Sequence, residues 1–101
     1  MEIPQTEIIV TENGAEIARR TVVPGEYLIG RDAACDVHVT AGLISRKHAK
    51  VTVNYNEWLI EDLGSANGTL VNGKAVTTCT RLWPNQKIQI GSAIIELRRV
   101  Q

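Results

Sequence analysis

The sequence of 101 residues contains only two cysteines, and they are far apart. Cys35 and Cys79 are too few to form a disulfide framework. Adding His38 and His48 gives four potential ligands, but these lack the paired spacing of a tetrahedral zinc site. We therefore expect no metal, and we expect both cysteines to be reduced, small packing residues.

The sequence also lacks an excess of charge, because 11 basic residues balance 11 acidic ones. A general nucleic-acid-binding protein needs a basic face, so we expect no nucleic-acid partner. No apolar run approaches the roughly 18 residues of a membrane span, and the N-terminus lacks a signal-peptide pattern. These absences predict no membrane insertion and a cytoplasmic location. The length fits a single domain covering residues 1–101.

What dominates the sequence is a two-residue alternation of apolar and polar side chains. Short runs rich in β-branched residues are separated by turn residues such as Asn13-Gly14 and Pro24-Gly25. No window shows the three-to-four-residue periodicity of a long helix. The strands predicted from this pattern are 7–10, 16–22, 26–29, 36–39, 48–53, 58–61, 69–71, 74–76, 87–90 and 93–97. About ten short strands indicate an all-β sandwich or barrel.

The same alternation identifies part of the core. Val51 and Val53 share one face of their strand, and the two isoleucines of strand 87–90 share one face of theirs. We expect these faces to meet, with each side chain contributing ~1.5–3 kcal/mol by burial. Phe is absent, so Trp58 and Trp83 are the largest apolar side chains and are expected to be core or edge anchors.

Three loops are rich in polar side chains, and the first and third of them also contain glycines. They are Gly30-Arg31-Asp32, Ser45-Arg46-Lys47-His48-Ala49, and Asp62-Leu63-Gly64-Ser65-Ala66-Asn67-Gly68-Thr69, which is followed closely by Val71-Asn72-Gly73. Glycine permits backbone conformations closed to other residues, and polar loops on a rigid β scaffold are common places for recognition.

The side chains of these loops suit a phosphorylated peptide. Arg31 and Arg46 carry planar forks of N–H donors, and Ser45 carries a hydroxyl, which together match a phosphate group. Asn67 has both a donor and an acceptor, which suits an extended peptide backbone. A strict up-and-down strand order, however, would place Arg31 at the opposite end from Ser45 and Asn67, so pattern alone does not bring the loops together.

No motif for catalysis is present. The sequence has no P-loop, no Gly-x-Ser-x-Gly elbow, no paired-histidine metal motif and no acidic cluster suited to magnesium. Ser45 and His48, three residues apart at the start of a strand, would point to opposite faces and not act as nucleophile and base. We expect a binding protein without a cofactor, not an enzyme.

The three loops together resemble the motifs of forkhead-associated (FHA) domains. Their order and approximate spacing agree, and the similarity runs from about residue 25 to residue 97. The resemblance implies a two-sheet β-sandwich of about eleven short, mostly antiparallel strands. It also implies that the three loops meet at one end of the sandwich and bind phosphothreonine-containing peptides.

The resemblance implies a role for each matching residue. Arg31 and Ser45 would contact the phosphate, and Arg46 would reach the phosphate or the peptide backbone beside it. Asn67 would hydrogen-bond the peptide main chain just after the phosphothreonine. The expected ligand is therefore a phosphothreonine-containing protein or peptide.

Five further residues would shape the site. Gly30 and His48 would be architectural, with His48 fixing the second loop, while Gly64 and Gly68 would shape the third. Many family members carry Ser or Thr where this chain has Ala66. A neutral hydrogen bond contributes ~0.5–1.5 kcal/mol, so the missing hydroxyl would weaken binding several-fold without abolishing it.

The function that follows is recruitment of phosphorylated partners in Ser/Thr kinase signalling, with the domain forming part of a larger multidomain protein. The alternative is a phosphate-independent interaction domain with the same fold, to which Ala66 would be better suited because it reduces the set of phosphate donors.

Overall fold

The structure, a computed structural model, describes residues 2–100. Within them the chain forms eleven strands and no helix. The strands are β1 (Gln5–Glu12), β2 (Ala15–Val22), β3 (Gly25–Gly30), β4 (Val37–His38), β5 (Ala49–Val53), β6 (Trp58–Asp62), β7 (Leu70–Val71), β8 (Lys74–Ala75), β9 (Thr80–Leu82), β10 (Lys87–Ile90) and β11 (Ala93–Val100).

The strands form two sheets that pack face to face. One sheet has six strands in the order β2-β1-β11-β10-β7-β8, and the other has five in the order β4-β3-β5-β6-β9. Neighbouring strands are antiparallel except β3 and β4, which are parallel. The two-sheet sandwich implied by the family resemblance is confirmed, and the barrel alternative is excluded.

One strand is absent from the sequence prediction, and others differ in length; β1 and β11, for example, are longer than predicted. Strand β9 was not predicted, because Leu82 is buried while Thr80 and Arg81 are both exposed, so no alternation marks it. Strand β4 has two residues where four were predicted, and it lies at the sheet edge. Segment 31–36 turns back along that edge before β4 begins, so β3 and β4 end on the same side.

The core lies between the sheets and is built almost entirely of aliphatic side chains. The expected contact between the two strand faces is confirmed, since Val51, Val53 and the two isoleucines of β10 are buried in one cluster. Trp58 also belongs to this cluster. Trp83 is exposed instead, and the guanidinium of Arg81 lies 3.9 Å from the centre of its ring.

The strand pairing brings the polar loops to one end of the sandwich. Ala49, the first residue of β5, pairs with Ile29 near the end of β3 and with Asp62 at the end of β6. Segments 31–35, 39–48 and 63–69 therefore leave the sandwich at the same end, which we call the loop end. The opposite end, formed by residues 2–4, 23–24, 54–57, 83–86 and 98–100, is called the far end.

The cysteines, possible membrane-spanning helices and possible metal ligands each bear on a prediction made from the sequence. Cys35 is buried and Cys79 is exposed, and neither forms a disulfide. Burial raises the pKa of the Cys35 thiol above its ordinary value, with the nearby Asp32 carboxylate acting in the same direction. In the part of the chain that the structure describes, no helix is long and apolar enough to cross a membrane, and no three potential metal ligands cluster.

Candidate functional site

The first and second loops are joined by backbone hydrogen bonds. The Arg31 N–H donates to the carbonyl oxygen of Ser45 at 3.0 Å, and the Asp32 N–H donates to that of Arg46 at 3.1 Å. The chain can make these contacts because β4 runs parallel to β3. The segment that follows β4 therefore leaves the sandwich at the same end as the segment that follows β3. The strict up-and-down order considered from the sequence is therefore wrong at this point.

The second and third loops are joined by side chains. The Ser45 Oγ accepts a hydrogen bond from the Ala66 N–H at 3.1 Å. The Asn67 Nδ2 donates to the carbonyl oxygen of Leu43 at 3.4 Å. Leu43 has a φ of 68°, a conformation uncommon outside glycine, and its side chain is exposed. The structure thus brings Arg31, Ser45 and Asn67 to one surface.

Arg31 is exposed and is anchored by one nitrogen only. Its Nε donates to the carbonyl oxygen of Ile44 at 3.2 Å. Both Nη groups lack a hydrogen-bond partner within residues 2–100, which leaves four N–H donors for a ligand. The Nε bond fixes the plane of the guanidinium at the loop surface.

Ser45 keeps its proton available. Its Oγ is used as an acceptor by Ala66, and a hydroxyl has one donor besides its two acceptor positions. The O–H of Ser45 can therefore donate to an acceptor that approaches from solvent. This half-buried side chain is held in place by two loops at once.

Arg46 contributes an exposed side chain and a constrained backbone. Its carbonyl oxygen accepts from the Asp32 N–H and from the Cys35 Sγ at 3.2 Å. A Cβ on residue 30 would overlap that carbonyl oxygen, so only glycine at this position allows the first two loops to approach each other. No hydrogen bond or ion pair of the Arg46 guanidinium is formed with the described residues.

The buried side chain of His48 forms hydrogen bonds to both the second and the third loop. The ring is fully buried; its Nδ1 accepts the Ser45 N–H at 3.1 Å, and its Nε2 lies 2.8 Å from the carbonyl oxygen of Gly68. An amide N–H can only donate and a carbonyl can only accept, so the proton is on Nε2. Both ring nitrogens are used, and neither can activate the Ser45 hydroxyl.

Asp62 organises the third loop, and no role was predicted for it. Its Oδ2 accepts the N–H groups of Gly64 and Ser65, each at 3.0 Å. Its Oδ1 accepts the hydroxyls of Ser65 at 2.6 Å and Thr69 at 2.7 Å. The Ser65 Oγ then accepts the Gly68 N–H at 2.9 Å, which closes the loop.

This network determines the ionisation of Asp62. Burial raises the pKa of the carboxyl, but the hydroxyls of Ser65 and Thr69 and the backbone N–H groups lower it, and the net pKa lies below the ordinary value. A sequence signal for the role exists. An Asp that ends a strand and is followed by Gly and Ser is typical of a turn closed by the carboxylate.

The loop glycines and charges complete the site. Gly64 and Gly68 have φ values of 75° and 84°, so the third loop uses their left-handed conformations. Arg31, Arg46 and Lys47 are exposed, whereas the Asp62 carboxylate is directed to its own loop. The surface therefore presents positive charge and N–H and O–H donors, which can bind an anion with several oxygen atoms.

Comparisons with known proteins agree on one family. The FHA domain family model matches residues 27–91. The FHA domain-containing protein FhaB of Mycobacterium tuberculosis H37Rv is 37% identical over 91 residues, which are 90% of this chain and 59% of FhaB. The chain therefore spans 59% of the length of that relative.

Solved structures show the same fold. The FHA domain of the CT664 protein from Chlamydia trachomatis has a TM-score of 0.86 at 30% identity, covering 96% of this chain and 99% of that one. EmbR of Mycobacterium tuberculosis, solved in complex with a low affinity phosphopeptide, has a TM-score of 0.77 at 20% identity, covering 91% and 24%. At that identity the second likeness concerns the fold alone.

Proposed function

The chain belongs to the FHA-domain family of phosphopeptide-binding interaction modules, and we propose that its ligand is a phosphothreonine-containing segment of a protein partner. The proposed contacts to the phosphate are Arg31, Ser45 and Arg46, and Asn67 is proposed to hold the peptide main chain. The partner would be phosphorylated by a Ser/Thr kinase, and the domain would recruit it within a larger signalling protein. Because such kinases use ATP, the proposed site of action is the cytoplasm.

The observation that carries this proposal is the set of donors left unused at the loop end. Arg31 uses only its Nε for the protein, and Ser45 uses its Oγ only as an acceptor. The Arg31 Nη groups and the Ser45 hydroxyl proton therefore lie on adjoining loops without an acceptor among residues 2–100. A phosphate dianion brings three acceptor oxygens and two charges, which suits guanidinium and hydroxyl donors together.

Asn67 is proposed to select an extended peptide. Its Nδ2 donates one N–H to Leu43 over a long 3.4 Å, and the second N–H and the side-chain oxygen remain. These two groups match the carbonyl and N–H of a peptide main chain. The contact would position the ligand without depending on its side chains.

Phosphorylation would act as the switch for binding. Unmodified threonine lacks the charge that Arg31 and Arg46 would meet, and a Glu in its place offers two oxygens and one charge. Losing one charge-assisted hydrogen bond costs ~1.5–3 kcal/mol, which is roughly ten- to a hundredfold in affinity. The preference for threonine over serine is what family membership implies.

The test begins with an oriented phosphothreonine peptide library, from which the best sequence is made in phosphothreonine, phosphoserine, threonine and glutamate forms. Calorimetric titration is expected to show binding of the phosphothreonine form alone at micromolar strength. Arg31→Ala should weaken it ten- to a hundredfold with an unchanged circular dichroism spectrum. Lys74→Ala, which removes an exposed charge from β8, is the matched control and should bind normally.

Equal affinity for phosphorylated and unmodified peptides would contradict the proposal and favour the phosphate-independent alternative. Unchanged affinity in a folded Arg31→Ala variant would contradict the role of that residue in particular.

A further inference from the structure

The far end of the sandwich contains a buried donor without a partner. Trp58, the first residue of β6, is 4% exposed, and its indole N–H makes no hydrogen bond within the described part of the chain. Buried polar atoms in native proteins are nearly always paired. The unpaired indole therefore points to an acceptor that binds from outside the domain.

Two adjoining cavities at the surface provide room for that acceptor. Trp58, Pro84 and Arg99 line both of them. The larger has a volume of about 190 Å³ and is completed by Asn85, Glu96, Leu97 and Arg98. The smaller has a volume of about 30 Å³ and is completed by Asn56, Glu57, Arg81 and Leu82. A water molecule occupies roughly 30 Å³ of liquid, so the larger cavity can admit a whole side chain.

The Arg99 side chain lies at the end of the core and lines both cavities. It continues the inward-facing series of Ile95 and Leu97 on β11, and its guanidinium lies 5.5 Å from the centre of the Trp58 ring. The only hydrogen bond that the Arg99 guanidinium forms within residues 2–100 is donated to the carbonyl oxygen of Tyr55, at 3.2 Å. Most of its N–H donors are therefore available to a ligand.

The charges facing the cavities favour an anionic ligand. Three arginines (Arg81, Arg98 and Arg99) and two glutamates (Glu57 and Glu96) line them. Glu96 is paired with Arg98 at 2.8 Å. Arg81 and Arg99 form no ion pair with the described residues, and each lies against an indole ring. Arg81 lies against Trp83, which lines neither cavity, so it is the unneutralised guanidinium of Arg99 beside the unpaired Trp58 N–H that matches a carboxylate.

We propose that the far end is a second docking site, which binds an acidic segment of a protein partner. An aspartate or glutamate carboxylate accepts the Trp58 indole N–H and pairs with the guanidinium group of Arg99. Because the indole nitrogen is covered, a side chain of the cavity wall must move as the carboxylate enters. The composition agrees with an interface, since Trp, Tyr and Arg are the residues enriched at binding hot spots.

The two tryptophans allow a direct test by ¹H–¹⁵N correlation spectroscopy at neutral pH. The chain has two indole N–H signals, and Trp83→Phe identifies the one from Trp58. The probes are an acetylated hexaglutamate amide and the corresponding hexaglutamine. Hexaglutamate is expected to shift the Trp58 signal downfield and saturably, while hexaglutamine leaves it in place.

Variants separate this site from the loop end. Arg99→Gln should weaken hexaglutamate binding at least tenfold, and Arg99→Lys should recover part of the loss because it restores the charge. Arg31→Ala should leave the Trp58 shift unchanged, because Arg31 lies at the opposite end. Failure of phosphopeptide binding at the loop end would therefore not affect this result.

Four results with these probes and variants would overturn the proposal. They are the absence of a saturable Trp58 shift up to about 10 mM hexaglutamate, an equal shift with hexaglutamine, an unchanged shift in folded Arg99→Gln, and loss of the shift in Arg31→Ala. A larger shift with an oligouridine than with hexaglutamate would assign the surface to nucleic acid and would also overturn it.

Discussion

The two ends of the sandwich stabilise their loops by different means. At the loop end, His48 and Asp62 bind the backbone of the second and third loops with short, specific hydrogen bonds. At the far end, Trp58 and Arg99 form an aromatic and cationic cover over the core, and the one buried indole N–H is unpaired. The loop end is held by polar side chains bonded to the loop backbone. The far end combines packing of Trp58 with hydrogen bonds such as those from the Trp83 N–H to the Gln86 Oε1 and from Arg99 to the Tyr55 carbonyl.

This difference determines how each end can bind a ligand. At the loop end the internal groups are satisfied within the protein, so the donors of Arg31 and Ser45 are positioned before a ligand arrives. Preorganised donors bind with little loss of conformational freedom. At the far end a cavity-wall side chain must move first, which makes binding there weaker for the same number of contacts.

The largest effect is expected for His48→Ala. The substitution creates a cavity and leaves the Ser45 N–H and the Gly68 carbonyl without partners. We expect a loss of about 3 kcal/mol or more in the free energy of unfolding, measured by urea denaturation. Phosphopeptide binding should also be lost, because the loop carrying Ser45 loses its support.

Two matched variants at position 48 test the reason for this effect. Asn can accept from the Ser45 N–H, and Gln can donate to the Gly68 carbonyl, so each should recover part of the stability. If both variants were as unstable as His48→Ala, ring packing and not hydrogen bonding would hold the loops together.

A smaller, pH-dependent effect is expected for Asp62→Asn. The substitution removes a charged acceptor of four hydrogen bonds, and a loss of about 2 kcal/mol is expected at pH 7. The folded pKa of Asp62 lies below its ordinary value. Its stabilisation is therefore complete above about pH 4 and is lost as the pH falls through the lowered folded pKa.

Urea denaturation of both proteins between pH 7 and pH 2 measures this dependence. The difference in unfolding free energy between the original chain and Asp62→Asn should narrow below about pH 4. A difference that stays constant down to pH 2 would show that the charge of the ionised Asp62 carboxylate adds nothing to the free energy of unfolding. The Asp32→Asn variant, whose amide oxygen can still accept the single bond from the Ala34 N–H, serves as the control.

The sequence predicted the fold well where side-chain burial alternates. Strand β5 follows this rule, with Val51 and Val53 buried. It failed for β9, where Leu82 alone is buried and pairing to β6 holds the strand in place. The parallel placement of β4 could not be predicted either, because it depends on a turn along the sheet edge and not on any local pattern.

The residues of the candidate site could be proposed from the sequence, but their arrangement could not. Glycines and donors marked the loops, and the family resemblance implied that they meet. The resemblance also implied that His48 fixes the second loop, but its bond to the third loop could not be predicted, because Gly68 lies 20 residues further along the chain. The role of Asp62 can be predicted from its turn pattern, an Asp at the end of a strand followed by Gly and Ser.

At the far end, Trp83→Ala should have a modest effect. The side chain is exposed, and its ring contacts the Arg81 guanidinium at 3.9 Å. Exposed cation–π pairs contribute ~0.5–1 kcal/mol, so a loss of that size is expected in urea denaturation. Phosphopeptide affinity should not change, since the ends act separately. Trp83→Phe retains a ring for Arg81 and should lose less; an equal loss would contradict the stacking.

The effect that most sharpens the account of the loop end, a gain in binding and not a loss of stability, is expected for Ala66→Ser. The backbone N–H of residue 66 already donates to the Ser45 Oγ, and its side chain is exposed beside the proposed phosphate position. A new hydroxyl should add ~0.5–1.5 kcal/mol of binding energy, which is roughly two- to tenfold in calorimetric affinity. Ala66→Cys, similar in size but a weak donor, should gain less. If Ser and Cys gave the same affinity as Ala, residue 66 would not face the phosphate, because a hydroxyl within reach of a dianion would always donate to it.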